Sequence, residues 1–390
     1  MKLFVLLSRV PYPLEKGDKL RAFNQIKELS KRHDIYLCAL NDTRLHPEAK
    51  QILASYCKEI HIFSISKWSV FLNVTRFFFS GKPLQCGYFY NRQIHKKILN
   101  LIAYIHPDHI YSQLIRTSEY VKNCKINKTL DYQDAFSKGV LRVMEKSPMW
   151  KRWFLSIEYE RLVKYEKDIF SYFDNKTIIT KVDRMNIQHP SASIIEVVPN
   201  GVDLSIFTPI QREKKYDLIF TGNFSYPPNI DAAVHLVNDI FPILKEKHPD
   251  INIVLCGANP SAKVQALQRK NVFVTGWVND IKDYYALSRI FIAPMRMGTG
   301  LQNKLLEAMA MQLPCITSPL ASNPLNAKQD KEIIVCNSLL GYADAVDMLL
   351  SQPDYYKEIA TNGCLFVNQN YTWENTTAIL ENILVKSQLN

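Results

Sequence analysis

No pair among the eight cysteines of this 390-residue chain is spaced Cys-x-x-Cys, and none stands with histidine at zinc-ligand spacing. That argues against a structural metal. No apolar run is long enough to span a bilayer. The opening Met1-Lys-Leu-Phe-Val-Leu-Leu stretch is broken by Arg9 and Pro11, too short for a signal peptide, and reads as a buried first strand. Without a secretory leader the thiols are expected to be reduced and the chain cytoplasmic. No paired-aspartate metal clamp occurs, so neither a metal nor another cofactor is expected. Basic residues never cluster with interleaved aromatics at a recognisable spacing, so nucleic acid is not an expected partner.

Carboxylates are scarce in the first half. Residues 1–199 hold 32 Lys and Arg against 19 Asp and Glu, whereas residues 200–390 hold 16 against 18. The overall charge of +11 therefore belongs to the first half. Either that half meets something anionic, such as a membrane surface or a phosphorylated lipid carrier, or it is a basic, solvated surface. Hydrophobic residues make up 47% of the chain, enough for sizeable cores, and the length suits two or three domains.

Short apolar strands alternate with helical stretches throughout. In the first half, strands are expected at 3–7, 35–40, 59–63, 109–111, 128–131 and 174–180, with helices at 19–32, 94–105 and 153–173. A strand at 194–198 runs into the turn cluster Pro199-Asn-Gly-Val-Asp203, where composition changes. A second alternation follows, with strands at 217–221, 251–256, 272–275, 289–293, 315–317 and 333–335. Helices at 230–246, 262–269, 281–287 and 303–311 separate them. This pattern predicts two doubly wound α/β domains, 1–198 and 199–372, and a C-terminal helix over 373–390 that packs back across the hinge. Ligands of such sheets bind at the carboxyl ends of the strands.

The most informative stretch is Ala293-Pro-Met-Arg-Met-Gly-Thr-Gly-Leu-Gln-Asn-Lys-Leu-Leu-Glu-Ala-Met-Ala310. It reads as a strand end, a turn containing Gly298 and Gly300, and a helix start. Glycine lets backbone approach a phosphate closely, and N–H groups at a helix N-terminus attract anions. Arg296 and Lys304 can neutralise phosphate charge. Glu307, one turn into the helix, can accept both hydroxyls of a ribose. His106 and His109 flank a strand start and read as structural or solvent-facing rather than catalytic.

Four segments carry a resemblance to a known family: Val198-Pro-Asn-Gly-Val-Asp203, Phe220-Thr-Gly-Asn-Phe-Ser-Tyr-Pro-Pro-Asn-Ile-Asp231, Val274-Thr-Gly-Trp-Val-Asn-Asp280 and Lys304-Leu-Leu-Glu-Ala-Met-Ala310. In this order they resemble the retaining glycosyltransferases of family 4, whose GT-B fold has two Rossmann-like domains facing a central cleft. The subgroup with GxGxxNK before LEAMA, and PYPxxKGDKxR near the N-terminus, is similar; it is associated with bacterial surface-polysaccharide assembly. The resemblance implies a nucleotide-sugar donor, UDP-linked before GDP-linked, and a lipid-linked or growing glycan acceptor. It further implies a metal-independent, peripheral enzyme on the inner face of the cytoplasmic membrane. Retention is then expected by front-face attack, with the donor phosphate receiving the acceptor proton.

By position, Arg296 and Lys304 correspond to the basic pair on the pyrophosphate, and Glu307 to the ribose carboxylate. Gly17, Gly222, Asn223, Gly298, Gly300, Leu301 and Gln302 fall in donor-side loops, and Val278 falls where the base is held. Thr299 stands where the family has a sugar-reading glutamate. Asp131 stands near the strand tip where many members have histidine. Asp18, Arg21, Arg116 and Asp134 are acceptor-side candidates. The usual Arg/Lys pair after the Phe-Thr-Gly strand is absent. Two other functions fit the fold: a nucleotide-sugar 2-epimerase, for which no acid/base set is evident, and a non-catalytic nucleotide-sugar-binding partner. Residues 68–79, aromatic and flanked by Lys67 and Lys82, suit either shallow membrane insertion or a helix packed on its own core.

Overall fold

A computed structural model describes residues 1–145, 147–298 and 300–386. Thr299 lies outside the described residues. The chain divides into two compact units, Met1–Pro199 joined by the segment from Thr376 onward, and Asn200–Asn375.

The first unit is built on a seven-stranded sheet in the order β3-β2-β1-β4-β5-β6-β7. The strands are β1 (Lys2–Leu7), β2 (Asp34–Asn41), β3 (Glu59–Ser64), β4 (His109–Gln113), β5 (Lys128–Asp131), β6 (Asn175–Ile178) and β7 (Glu196–Val197). Every pairing is parallel. A parallel sheet with helical crossovers is covered on both faces, which is why β1 is apolar at every position from Leu3 to Leu7. Alternation sorts those residues. Leu3, Val5 and Leu7 join a core with Ala22, Ile26 and Leu29 of the Gly17–Leu29 helix and with Leu380 and Leu384. Phe4 and Leu6 join the opposite core with Ile94, Ile98 and Ile102. The C-terminal Trp373–Lys386 helix thus supplies core residues to the first unit, and its Glu381 bonds His33 at 2.8 Å.

The second unit has six parallel strands in the order β10-β9-β8-β11-β12-β13. They are β8 (Tyr216–Thr221), β9 (Ile253–Cys256), β10 (Val272–Gly276), β11 (Ser288–Ala293), β12 (Cys315–Thr317) and β13 (Ile334–Val335). The helix expected over 230–246 is three pieces: Pro227–His235, a π turn over Leu236–Ile240, and Phe241–Lys247. Pro242 has no N–H to donate back along the helix, and the widened turn just before it absorbs that defect. The helix expected over 262–269 ends at Gln265. Arg269 and Val272 exchange backbone hydrogen bonds, and this tight bridge draws the chain out of helix and into β10.

Candidate functional site

In the second unit the carboxyl ends of β8 and β9 close on one another through two glycines. Gly257 has φ 154°, and a Cβ there would lie 1.9 Å from the Gly222 carbonyl oxygen. A Cβ on Gly222 would lie 2.7 Å from the Asn229 amide nitrogen. Only glycine allows both approaches. Asn229, in the first turn of the Pro227–His235 helix, is the hub. Its Nδ2 donates to the Asn223 carbonyl at 2.9 Å, and its Oδ1 accepts from the Lys304 ammonium at 2.6 Å. Lys304 also sits 4.7 Å above the Phe220 ring. Burial lowers its pKa to about 7, against the opposing pull of Glu307.

Lys304 and Glu307 stand three residues apart in the Asn303–Ala310 helix, and so on one face. Glu307 Oε2 accepts from the Tyr285 hydroxyl at 2.9 Å. That hydroxyl is also 2.9 Å from Thr221 Oγ1 at the end of β8. A tyrosine has one proton, so with Tyr285 donating to Glu307, Thr221 is the donor to Tyr285. Burial pushes the Glu307 carboxyl upward in pKa, with Tyr285 and Lys304 opposing it. The site thus holds one ammonium and one carboxylate, each fixed by a neutral side chain that is itself anchored to the sheet edge.

The turn before that helix needs its glycines: Gly298 has φ 123° and Gly300 φ 71°. A Cβ at Gly298 would sit 3.7 Å from the Pro228 side chain and 3.9 Å from Gln302 Nε2, which places the turn beside the start of the Pro227–His235 helix. Leu301 packs on the unit's core, and Gln302 caps the helix start in extended conformation. Val278 is half-buried after β10, next to Trp277, which is 71% exposed. Arg296 is engaged elsewhere. Its guanidinium holds both oxygens of Asp231, at 3.1 and 2.9 Å, and lies 3.9 Å from Asp239. It is therefore a half-exposed cation already paired with carboxylates.

The first-unit candidates separate into three groups. Asp131 and Arg21 correct the sequence-based expectation. Both side chains are completely buried, with Arg21 Nε 2.7 Å from Asp131 Oδ2. The Tyr111 and Thr177 hydroxyls occupy the remaining carboxylate positions at 2.9 and 3.0 Å. A fully bonded ion pair with no exposed surface is a strut under the sheet edge, and Asp131 presents no oxygen to a sugar. Gly17 and Asp18 open the Gly17–Leu29 helix. Gly17 is exposed with no atom near its absent Cβ, and Asp18 binds Arg9 at 2.9 Å. Arg116 lies between the rings of Phe89 and Phe136 at 5.2 and 4.7 Å, and its NH2 donates to Gln85. Asp134, just after β5, has a buried Oδ1 with no hydrogen-bond partner. Burial, with Asp183 adding to it, raises its pKa to about 7. His109 is buried against Thr129, as expected of a structural residue.

Residues 215–352 match the family described as glycosyl transferases group 1. The matched stretch lies within the second unit. A protein of Klebsiella pneumoniae named as an uncharacterized 44.6 kDa protein in the cps region is 23% identical over 95% of this chain and 96% of its own length. A UDP-Gal:alpha-D-GlcNAc-diphosphoundecaprenol alpha-1,3-galactosyltransferase of Escherichia coli is 25% identical over 39% of this chain and 44% of its own length. Among solved structures, sucrose-phosphate synthase from Thermosynechococcus elongatus has TM-score 0.71 at 14% identity, covering 99% of each chain. Anabaena Alr3699/HepE in complex with UDP and glucose has TM-score 0.69 at 11% identity, covering 98% of this chain and 99% of its own. The fold is GT-B.

Within the matched stretch, Asn229, Tyr285, Thr221 and Asp231 escaped sequence reasoning. Asn229 had a signal, because an asparagine in the first turn after Pro-Pro faces the sheet edge. Tyr285 had a weaker one: a tyrosine whose ring is buried needs a partner for its hydroxyl. Nothing in the sequence pairs Arg296 with Asp231, 65 positions apart.

Proposed function

We propose that this chain is a retaining glycosyltransferase that moves a sugar from a nucleoside-diphosphate donor, UDP-linked in preference to GDP-linked, to a lipid-linked or growing glycan acceptor of a cell-surface polysaccharide. The observation that carries the reading is the Lys304–Glu307 pair on a glycosyltransferase domain. Lys304 and the N–H groups of the Gly298–Gln302 turn would take the diphosphate, and Glu307 the ribose hydroxyls. Gly222 and Asn223 would border the phosphates, and Val278, with Trp277 beside it, the base.

The chemistry follows from where charge develops. As the glycosidic bond breaks, negative charge grows on the diphosphate, and a fixed ammonium and oriented N–H dipoles stabilise it without a proton transfer from the protein. Lys304 is suited to this, because a half-neutral lysine that meets a diphosphate becomes fully charged. Arg296 can join only by leaving Asp231. Thr299 would contact the donor sugar. The acceptor would be bound by first-unit residues, Arg116 and Asp134 among them, with retention and metal independence following the family resemblance. The Escherichia coli relative is named for UDP-Gal and a diphosphoundecaprenol acceptor, which supports the UDP-linked and lipid-linked readings.

A thermal-shift panel of UDP, GDP and their sugars tests the donor assignment. A ligand at 100 times its Kd stabilises by about 2.7 kcal/mol, a shift of several degrees. UDP compounds are expected to shift the melt more than GDP compounds. No shift with any of them would leave a protein without a donor site and sink the proposal.

A further inference from the structure

We propose that the first unit docks onto an anionic lipid bilayer through two aromatic helix faces, one on the Lys67–Ser80 helix and one on the first two turns of the Met149–Ile169 helix. The inference deepens the lipid-linked acceptor reading above and rests on it for its biological sense, but not for its evidence.

The Lys67–Ser80 helix turns one apolar face inward and a second outward. Phe77 is buried, and Val70 packs on the same core. The outward stripe consists of Trp68, Phe71, Leu72 and Phe79, which are 80%, 65%, 66% and 82% exposed. Their spacing of three, four and seven residues aligns them along one side of the helix. A helix apolar on all sides belongs inside a protein or against a membrane. Phe78, in contrast, lies under the Arg161 guanidinium at 5.0 Å and is half-buried, so it is not part of the stripe.

The second face repeats the pattern. Met149, Trp150, Trp153 and Phe154 are 83%, 74%, 70% and 45% exposed at the start of the Met149–Ile169 helix. The two helices touch where Arg161 donates to the Phe78 carbonyl at 2.8 Å, and Glu158 accepts from the Leu84 and Gln85 amides of the short helix that follows the first. Both aromatic faces belong to the first unit. Three of the chain's five tryptophans are on these faces.

Charge selects the occupant. Residues 60–107 contain six Lys and Arg and no carboxylate, and residues 147–157 contain Lys151 and Arg152 and no carboxylate. Lys151 lies 4.9 Å from the Trp150 ring. Tryptophan with neighbouring Lys and Arg suits the headgroup region, and basic groups near an anionic leaflet add attraction. A second copy of the chain would set like charges against each other. No helix among the described residues is long and apolar enough to cross a membrane, so the contact is interfacial.

The test uses the full chain and vesicles of phosphatidylethanolamine with phosphatidylglycerol, beside vesicles of phosphatidylcholine alone. Wild type should float with the anionic vesicles. Its tryptophan fluorescence should be quenched when the lipids carry bromine on the acyl chain. A Trp68→Ser, Phe71→Ser, Trp150→Ser, Trp153→Ser variant should lose vesicle binding at least about tenfold. Its thermal shift with UDP should be unchanged, which separates this proposal from the donor reading. Vesicle binding equal to wild type in that variant would overturn the proposal. So would wild type that neither floats nor is quenched, or a wild-type dimer that the same substitutions dissociate. Should the variant fail to fold, quenching of the wild type decides alone.

Discussion

At Lys304 the protein holds an ammonium whose pKa burial has brought to about 7. A diphosphate beside it would raise that value again, so binding above pH 7 must take up a proton. UDP affinity should therefore be full below pH 7 and fall about tenfold per unit above it, until the bound-state pKa is reached. Calorimetry in two buffers of different ionisation enthalpy checks this through proton uptake at pH 8; a heat independent of buffer would contradict it. At Glu307 the discriminating comparison is UDP against a nucleoside diphosphate lacking both ribose hydroxyls. Wild type should prefer UDP, and Glu307→Ala should lose that preference, because the coupling between carboxylate and hydroxyls is what the cycle isolates. Asp134 behaves in the opposite direction to Lys304. Its carboxyl is unpartnered at Oδ1, and its raised pKa means that the folded state binds the proton more tightly than the unfolded one. Stability is then lost as pH rises from about 4 to about 7. Asp134→Asn should raise Tm relative to wild type most at pH 8, less at pH 5, and hardly at all below about pH 4.

Among elements, the Pro227–His235 helix matters most, because its first turn ties Asn223, Lys304 and Arg296 through Asn229 and Asp231. It can sit so close only because Gly222 carries no Cβ, and Gly222 in turn lies against Gly257, where a Cβ would meet the Gly222 carbonyl. Gly257→Ala should destabilise the protein by at least about 1–3 kcal/mol, since a backbone carbonyl must move; an unchanged Tm would contradict that account. The Arg21–Asp131 strut makes the matching case in the first unit. Asp131→Ala leaves a buried guanidinium without its partner and should cost about 3–5 kcal/mol, read by denaturant unfolding. The strands were legible because β-strands covered on both faces are continuous apolar runs, as in β1 and β8. The Lys304–Glu307 spacing was legible because three residues of helix define a face. What was not legible needed three dimensions. Asp131 looked available at a strand tip, and only packing shows that Arg21, 110 residues away, consumes it. Nor could the sequence show that Arg296 is paired with Asp231, 65 positions away. The Pro242 π turn shows the reverse: the residue was visible, but its effect depends on whether the helix stops or widens.

At the scale of the whole molecule, charge and chemistry are segregated. The excess of basic residues lies in the first half, with the aromatic helix faces, while the second unit, close to neutral, holds the stretch that matches the glycosyl transferases group 1 family and the diphosphate site proposed above. That division suits an enzyme whose donor is soluble and whose acceptor is anchored in lipid. The central claim is that Lys304 holds the diphosphate of a nucleotide donor. Isothermal titration of UDP into wild type and Lys304→Ala at pH 7 tests it most directly. The account predicts saturable binding to wild type, weakened at least about thirtyfold in the variant, about 2 kcal/mol, with the fold intact. Equal affinity in the two proteins would contradict it.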